Sequence, residues 1–381
     1  MTDTLDTLAR TEIVERGVAP SAVVGVAVLR DGELRMEIGA AGRTPYGQAN
    51  VETVFDLASI TKSFVAVAAA RLVERGVVRF DSTLSELVEE SRGTPSAGVT
   101  LEQLLGHRSG LEAHLPLFAP LTARASLCRR DMLARALVAR RAECTGPPPE
   151  SGFAPLYSDL GYLVAGEALT RAAGSPLDEL VASEVSRPLG VDVRSARQWL
   201  RAGEDFIARV APTEHVPFRG GLVCGVVHDE NAWAYSGHAL SGHAGLFGTA
   251  RGVLGLGVAL LEGLCGRGSN WLSRETLERL VRERPGSSLR VGFDGKSGPN
   301  ASAGPSASPL TFGHLGFTGT SLWCDPVAGC ATVLLTNRVC PTRHNAAIRE
   351  ARPRVHEALF TLGRRMRAAA DHTRRAGRNP S

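Results

Sequence analysis

Two pairs of strand-like runs, one near each end of the chain, constrain this sequence more than anything between them. The first is SAVVGVAVLRDGELRMEIGAAG, whose apolar halves meet at Asp31-Gly32, a dipeptide suited to the tight turn of a two-residue hairpin. The second is GHLGFTGTSLWC followed by CATVLLTNRV, a hairpin expected around Asp325-Pro326. Strands so far apart in sequence satisfy their backbone groups most simply in one shared antiparallel sheet, covered by the terminal helices. The middle of the chain reads as helical. Helical patterns fall at 61–76 with Gly76 as C-cap, at 99–106 with Thr100 as N-cap, at 126–141 and at 159–174. A short amphipathic helix is expected over 5–16, and a last helix running towards position 368. The run PGSSLRVGFDGKSGPNASAGPSASP reads as a long surface loop. The fold class is therefore α+β: an antiparallel sheet flanked by helices, plus a mainly helical lobe, with a cleft between them.

Composition excludes several classes of function. Hydrophobic residues make up 43% of 381, enough for a large core, yet no segment approaches the ~18 apolar residues of a membrane helix. The first residues carry neither a basic run nor an apolar stretch, and the seven cysteines form no C-x-x-C pair, so a reducing, cytoplasmic setting is expected. Cys324 and Cys330 are expected to face each other as reduced residues across the second hairpin. The net charge of +4 is local: from Arg343 onward ten arginines stand against three acids. That excess ends in a basic tail, 369–381, which reads as disordered and solvated and not as a nucleic-acid surface. The expected partner is a small-molecule or peptide substrate, with no nucleic acid and no membrane span; the sequence leaves the oligomeric state open.

Only two of the 43 basic residues are lysines, Lys62 and Lys296. Where arginine serves for charge alone, a retained lysine is a candidate for chemistry that needs a group able to lose its proton. Lys62 lies three residues after Ser59 in FDLASITKSF, so the two side chains share one face of a helix's first turn. A serine hydroxyl needs a base, and a neutral lysine amine can be one. With 27 serines in the chain, such a pair arises by chance in roughly one sequence in seven, so alone it is weak. Two further segments strengthen it. PLYSDLGY places Tyr157 and Asp159 before a helix, where Asp159 also suits an N-cap, and FGHLGFTG places His314 in a glycine-bounded strand. S-x-x-K, then Y-x-[ND], then [KH]-x-G is the order found in penicillin-recognising enzymes.

On those motifs the chain resembles the serine β-lactamase-like family over about residues 18–366, nearest to class C β-lactamases, DD-peptidase-like proteins and related carboxylesterases. VTLEQLLGHRSGL resembles the stretch after the nucleophile helix. VHDENAW, SGHAGLFGTA, GHLGFTGTSLWCDP and LTNRVCPTR resemble a branch with cell-wall-fragment amidases and penicillin-binding-protein-like hydrolases. The resemblance implies a single catalytic domain over 1–368, with an α/β lobe at about 18–75 and 240–368 and a helical lobe at about 76–239. It implies that Ser59 forms an acyl-enzyme, that Lys62 shares its proton, and that Tyr157 acts as or assists the base. The N–H groups of Ser59 and Phe317 would form the oxyanion hole, and His314, Gly316 and Asp159 would contact substrate.

Two departures stand out. Asp159 replaces the asparagine common in class C β-lactamases, and His314 replaces a permanent cation with one expected to be half-charged near pH ~6.5. Both point away from an efficient β-lactamase. If Cys324 opposes Cys330, His314 would lie opposite position 340. Arg343 and Asn345 would then sit at the cleft mouth, where Arg343 could supply the missing charge for a substrate carboxylate.

No metal or cofactor is expected, because His228, Asp229, Glu230, His238 and His243 match no zinc spacing and read as structural or cleft-lining. No G-x-S-x-G elbow occurs, which argues against an α/β-hydrolase. The reading is an acyl-serine hydrolase of an amide or ester, such as a peptidoglycan fragment or D-amino-acid peptide. A carboxylesterase or weak β-lactamase is the alternative, and a non-catalytic penicillin-binding sensor is the reading of another class.

Overall fold

The computed structural model describes residues 2–30, 33–203, 205–266 and 271–376. Its centre is a seven-stranded antiparallel sheet built from both ends of the chain. The strands are β1 (Ser21–Arg30), β2 (Glu33–Thr44), β3 (Gly47–Gln48), β4 (Asp294–Gly295), β5 (Phe312–Leu315), β6 (Ser321–Asp325) and β7 (Cys330–Thr336), in the order β3-β2-β1-β7-β6-β5-β4. β1 joins the two halves, pairing with β2 on one side (Ser21↔Gly42 to Arg30↔Glu33) and with β7 on the other (Ala22↔Thr336 to Val28↔Cys330). The register Arg30↔Glu33 leaves two residues for the first turn. Asp31-Gly32 itself lies outside the described residues.

The sheet is covered on both faces, which is why β1 is apolar without alternation. Ala22, Val24, Val26 and Val28 pack with Leu5 and Ala9 of α1 (Thr2–Ala9) and with Val355, Leu359 and Phe360 of the C-terminal helix α5 (Ile348–Ala376). Val23 and Ala27 belong to the opposite core, with Leu254 and Leu260 of α4 (Ala250–Leu264). That second core also contains α2 (Thr61–Glu74), buried continuously from Thr61 to Ala70, and α3 (Asp159–Ala173). Among the described residues no helix is long and apolar enough to cross a membrane.

The expected helices fall close to their places. Gly76, at φ +70, follows the end of α2 and returns its N–H to Val73 O. Thr100 caps Leu101–Leu105 with a reciprocal Gln103 bond. Helix α5 ends at Ala376, beyond the end expected at 368, and residues 377–381 lie outside the described residues.

Three expectations are corrected. The run after Pro285 is not simply a surface loop: Val291 and Phe293 are core residues, and β4 pairs Asp294 with Gly313. GHLGFTGTSLWC is two strands joined by a turn, so His314 pairs with Leu322 and not with position 340. Cys324 pairs with Ala331 and Asp325 with Cys330, one step from the expected register; both thiols are free and buried.

Candidate active site

The site begins with a strained turn. Phe55–Asp56 is held to Leu246–Gly248 as a short strand, and the chain then turns sharply at Ala58, a non-glycine residue at φ +46. Such a conformation costs on the order of 1–3 kcal/mol and persists only when neighbours enforce it. The buried Asp56 carboxylate does so, accepting the N–H of Ala58 at 2.8 Å through one oxygen and that of His228 at 2.7 Å through the other. Ser59 is thereby delivered, half-buried, to the wall of a cleft, and α2 starts two residues later.

Lys62 stands one turn on, completely buried. Its Nζ donates to Ser59 Oγ at 2.8 Å and His243 O at 3.1 Å, and lies 2.8 Å from Asp159 Oδ1. Burial pushes this amine towards neutrality, but Asp159, and then Tyr157, outweigh it and hold the pKa above its ordinary value. The resting site therefore holds an ammonium with three acceptors, which corrects the expectation of a neutral lysine base.

Asp159 can reach Lys62 because Ser158 takes the capping role, accepting the Gly161 N–H at 3.0 Å, so Asp159 is the first residue of α3 and not its N-cap. Tyr157 precedes the cap. Its ring stacks on His107 at 4.6 Å between centroids, Lys62 Nζ lies 4.9 Å from its centre, and the His314 ring is 6.0 Å away. Burial raises the phenol above its ordinary value, Lys62 pulls it down, and Asp159 adds to the rise. His107 supports this wall as a neutral acceptor: its Nδ1 takes the Ser158 N–H at 3.0 Å, and burial, then Lys62, holds its pKa well below the usual range.

Ser59, Tyr157, Asp159, His314, Gly316 and Phe317 line one cavity of about 660 Å³, with Arg338, Arg343, Arg349 and Arg352 at the same cavity. A larger groove of about 930 Å³ around Glu102 holds none of the motif residues. His314 is corrected from a part-time cation to a neutral imidazole, because burial, and then Lys62, takes its pKa down to about 3. Arg343 reaches the cleft, but its charge is matched by Glu214 at 2.6 Å and by Glu230, so it is not the free cation expected. Asn345 does not line the cavity; its amide donates to Gly17 O and Val18 O. His228, Asp229 and Glu230 line the cleft, His243 sits behind Lys62, and His238 is exposed.

Sequence reading missed Asp56, the part played by His107, and the buried Arg338 and Arg352. Asp56 had a visible signal, an acid three residues before the serine. The arginines had none, since nothing local distinguishes them from the surface arginines around them.

A family model described as Beta-lactamase matches residues 10–356. A protein of Salmonella agona (strain SL483) named putative D-alanyl-D-alanine carboxypeptidase is 27% identical over 337 residues, covering 83% of this chain and 74% of its own. A penicillin-binding protein homolog from Caulobacter crescentus matches with a TM-score of 0.67 at 20% identity, over 94% of this chain and 97% of the homolog. EstCE1, a hydrolase with promiscuous acyltransferase activity, matches with the same TM-score at 21% identity, over 93% and 98% of the two chains.

Proposed function

This chain belongs to the beta-lactamase family and is a serine hydrolase, and we propose that it works through an acyl-enzyme on Ser59 to cleave an amide or ester whose acyl or leaving part carries a carboxylate, a D-amino-acid peptide being the favoured type. The observation that carries the reading is the Ser59–Lys62 hydrogen bond at 2.8 Å, set in a cavity that Tyr157 and Phe317 also line.

With Lys62 charged at rest, the base is the phenolate of Tyr157, a minor form near neutral pH because burial raises the phenol above its ordinary value, and one that the ammonium beside it favours. The Ser59 proton passes to the phenolate as Oγ attacks the substrate carbonyl. The carbonyl oxygen becomes an oxyanion received by the N–H groups of Ser59 and Phe317. The C–N or C–O bond then breaks, the leaving group takes the proton from Tyr157, and water attacks the acyl-enzyme by the same steps in reverse. Neutral His314 donates its one N–H from Nδ1 to Leu315 O at 2.9 Å, so its Nε2 can only accept a hydrogen bond, and the ring supplies no charge. The cationic end of the cleft supports a carboxylate-bearing substrate: Arg349 is exposed there with no ion-pair partner among the described residues. The relative's carboxypeptidase name fits such a substrate. The neutral His314 and the likeness to EstCE1 favour esterase activity as the second reading. We also propose that 1–368 is one catalytic domain of two lobes, supported by the core that runs from β1 through α2 and α3.

The test is mass spectrometry after exposure to a fluorophosphonate, a penicillin and a panel of charged and neutral p-nitrophenyl esters. An adduct on the peptide containing Ser59, lost in Ser59→Ala together with turnover, is the expected result. Turnover retained by Ser59→Ala overturns the nucleophile.

A further inference from the structure

The turn between β5 and β6, residues 316–320, is fastened at every carbonyl. Gly316 O accepts from Arg352 Nη2 at 2.6 Å and from the Gly319 N–H. Phe317 O accepts from Arg338 Nε at 2.8 Å, and Thr318 O from the Arg338 N–H. Gly319 O accepts from Thr336 Oγ1, and Thr320 O from both Gly316 N–H and Arg352 Nη2. Two hydroxyls tie the turn to the strained segment that carries the serine: Thr318 Oγ1 donates to Asp56 O and Thr320 Oγ1 to Leu57 O. The packing leaves no room for a side chain at Gly316, where a Cβ would lie 1.9 Å from Thr320 Oγ1. Among the described residues the Phe317 N–H, by contrast, donates to no protein acceptor.

Arg352 is the unusual member of this arrangement. It is 8% exposed on the buried side of α5, and no carboxylate lies within ion-pair distance of it among the described residues. Its Nε has no protein acceptor, and the charge beside it is another buried guanidinium, Arg338. Burial, then Arg338, lowers its pKa to about 9, so it remains charged at neutral pH. An unpaired guanidinium in a dry interior is disfavoured unless its hydrogen bonds serve something else. Of the carbonyls it reaches, one is that of Gly316, in the same peptide unit as the Phe317 N–H.

We propose that Arg352 is a positioning residue for the reaction, acting through the Gly316–Phe317 peptide to strengthen the oxyanion hole. A peptide's C=O and N–H are conjugated, so a cationic donor on the oxygen withdraws electron density and makes the N–H a stronger donor. The water-excluded setting enlarges the effect, and it acts when negative charge grows on the substrate carbonyl oxygen. Nη2 is taken up by the two carbonyls, so this contact with the turn is made whether or not Nη1 reaches the cavity that Arg352 lines. The inference rests on the proposed acylation of Ser59 with the Phe317 N–H facing the oxyanion.

Arg352→Met and Arg352→Lys are assayed with neutral and carboxylate-bearing p-nitrophenyl esters and with an aryl boronic acid, which forms an anionic tetrahedral adduct on the serine. The expected result for Arg352→Met is a fall in kcat of about 10–100-fold for both ester types, KM changed less than about twofold, and a matching loss of boronate affinity. Arg352→Lys, which keeps the charge and a donor, recovers at least about a third of kcat. An unchanged kcat, or a loss confined to KM for carboxylate-bearing esters, overturns the proposal. If Arg352→Met fails to fold, as its melting temperature reports, Arg352→Gln, which keeps donors for the two carbonyls but removes the charge, decides: its kcat and boronate affinity fall together, or the proposal fails. Ser59→Ala separates the premises. Turnover in that variant removes the acyl-serine reading itself, whereas a dead Ser59→Ala beside a normal Arg352→Met removes only this inference.

Discussion

Lys62 and Asp159 form an ion pair at 2.8 Å in which the lysine is wholly buried. In the proposed mechanism this pairing decides how the reaction starts. An ammonium held by a carboxylate cannot take a proton from serine, so in that mechanism the task falls to Tyr157, and the same carboxylate makes the phenolate harder to form. Asp159→Asn removes that opposition while keeping the shape. The phenol pKa should fall, and the rise of kcat/KM with pH should move to lower pH by about one unit. Profiles of p-nitrophenyl acetate hydrolysis between pH 6 and 10.5 read this directly. A profile that stays put, or moves to higher pH, removes Asp159 from the proton circuit.

Lys62→Arg keeps the positive charge but not the fit. The ammonium meets Ser59 Oγ, His243 O and Asp159 at the end of a fully buried chain, and a planar fork of five donors cannot repeat that compact arrangement. Loss of acylation by about 10²–10⁴ is expected, near that of Lys62→Ala. Activity within tenfold of the parent would mean that a diffuse positive charge is all the site needs from position 62.

Tyr157→Phe should also slow acylation by about 10²–10⁴, leaving the His107 stack in place because the ring is kept. Pre-steady-state bursts of p-nitrophenol would resolve acylation from deacylation. An unaltered burst rate and pH profile in the phenylalanine variant would hand the proton to another group.

How far the sequence reaches depends on the range of the interaction. The Ser59, Tyr157 and His314 segments were legible because local order and spacing carry them, and strands 21–30 and 33–44 because one run of valines and alanines has a turn signal between its halves. The strand Asp294–Gly295 was hidden: its glycine- and serine-rich run has no β propensity, and only the neighbouring Phe312–Gly313 makes it a strand. The hairpin register missed by one because four residues, 326–329, close the turn, with Gly329 at φ +58. Charge states were least legible. His314 is neutral because of what surrounds it, and Arg343 is neutralised by acids more than 100 residues away in sequence.

Acid should destabilise the fold above the range where carboxylates titrate. His314 and His356 are buried with pKa values taken down to about 3, by burial first and then by Lys62 and Arg352 respectively, and His107 lies well below its usual range. An unfolded histidine binds its proton near pH ~6.5, so below that pH the unfolded state holds more protons than the folded one, and stability falls as pH falls. Each such imidazole contributes up to about 1.4 kcal/mol per pH unit. Acids with lowered values, such as Glu214 at about 2 (its partners His228 and Arg343 outweighing burial), add to the loss only below pH ~4.5. Urea unfolding at pH 7, 6 and 5 should therefore show a steady decline, less steep in His314→Gln. A flat stability between pH 7 and 5 would show that these rings are not held neutral.

Two arginines of the cleft, Arg343 and Arg349, should respond differently to removal. Arg343 bonds Glu214 at 2.6 Å and pairs with Glu230, while Glu214 also meets His228 Nε2 at 2.9 Å; His228 in turn stacks on Phe317 at 5.8 Å. Arg343→Ala would remove the guanidinium that Glu214 and Glu230 share, leaving Glu214 with His228 as its remaining side-chain partner. Full burial would make such a loss worth about 3–5 kcal/mol, but the arginine is a third exposed, so about 1–3 kcal/mol is expected. Damage of that kind propagates through His228 to the Phe317 wall whatever the substrate's charge, so kcat/KM should drop alike for carboxylate-bearing and neutral esters. Among the described residues Arg349 holds no acid, and it lies exposed at the same cavity. Arg349→Ala should leave the melting temperature unchanged and raise KM about tenfold, ~1.4 kcal/mol, for carboxylate-bearing esters alone. If the selective loss instead follows Arg343, its ion pairs must open on binding, and the substrate displaces Glu230 or Glu214 to reach it.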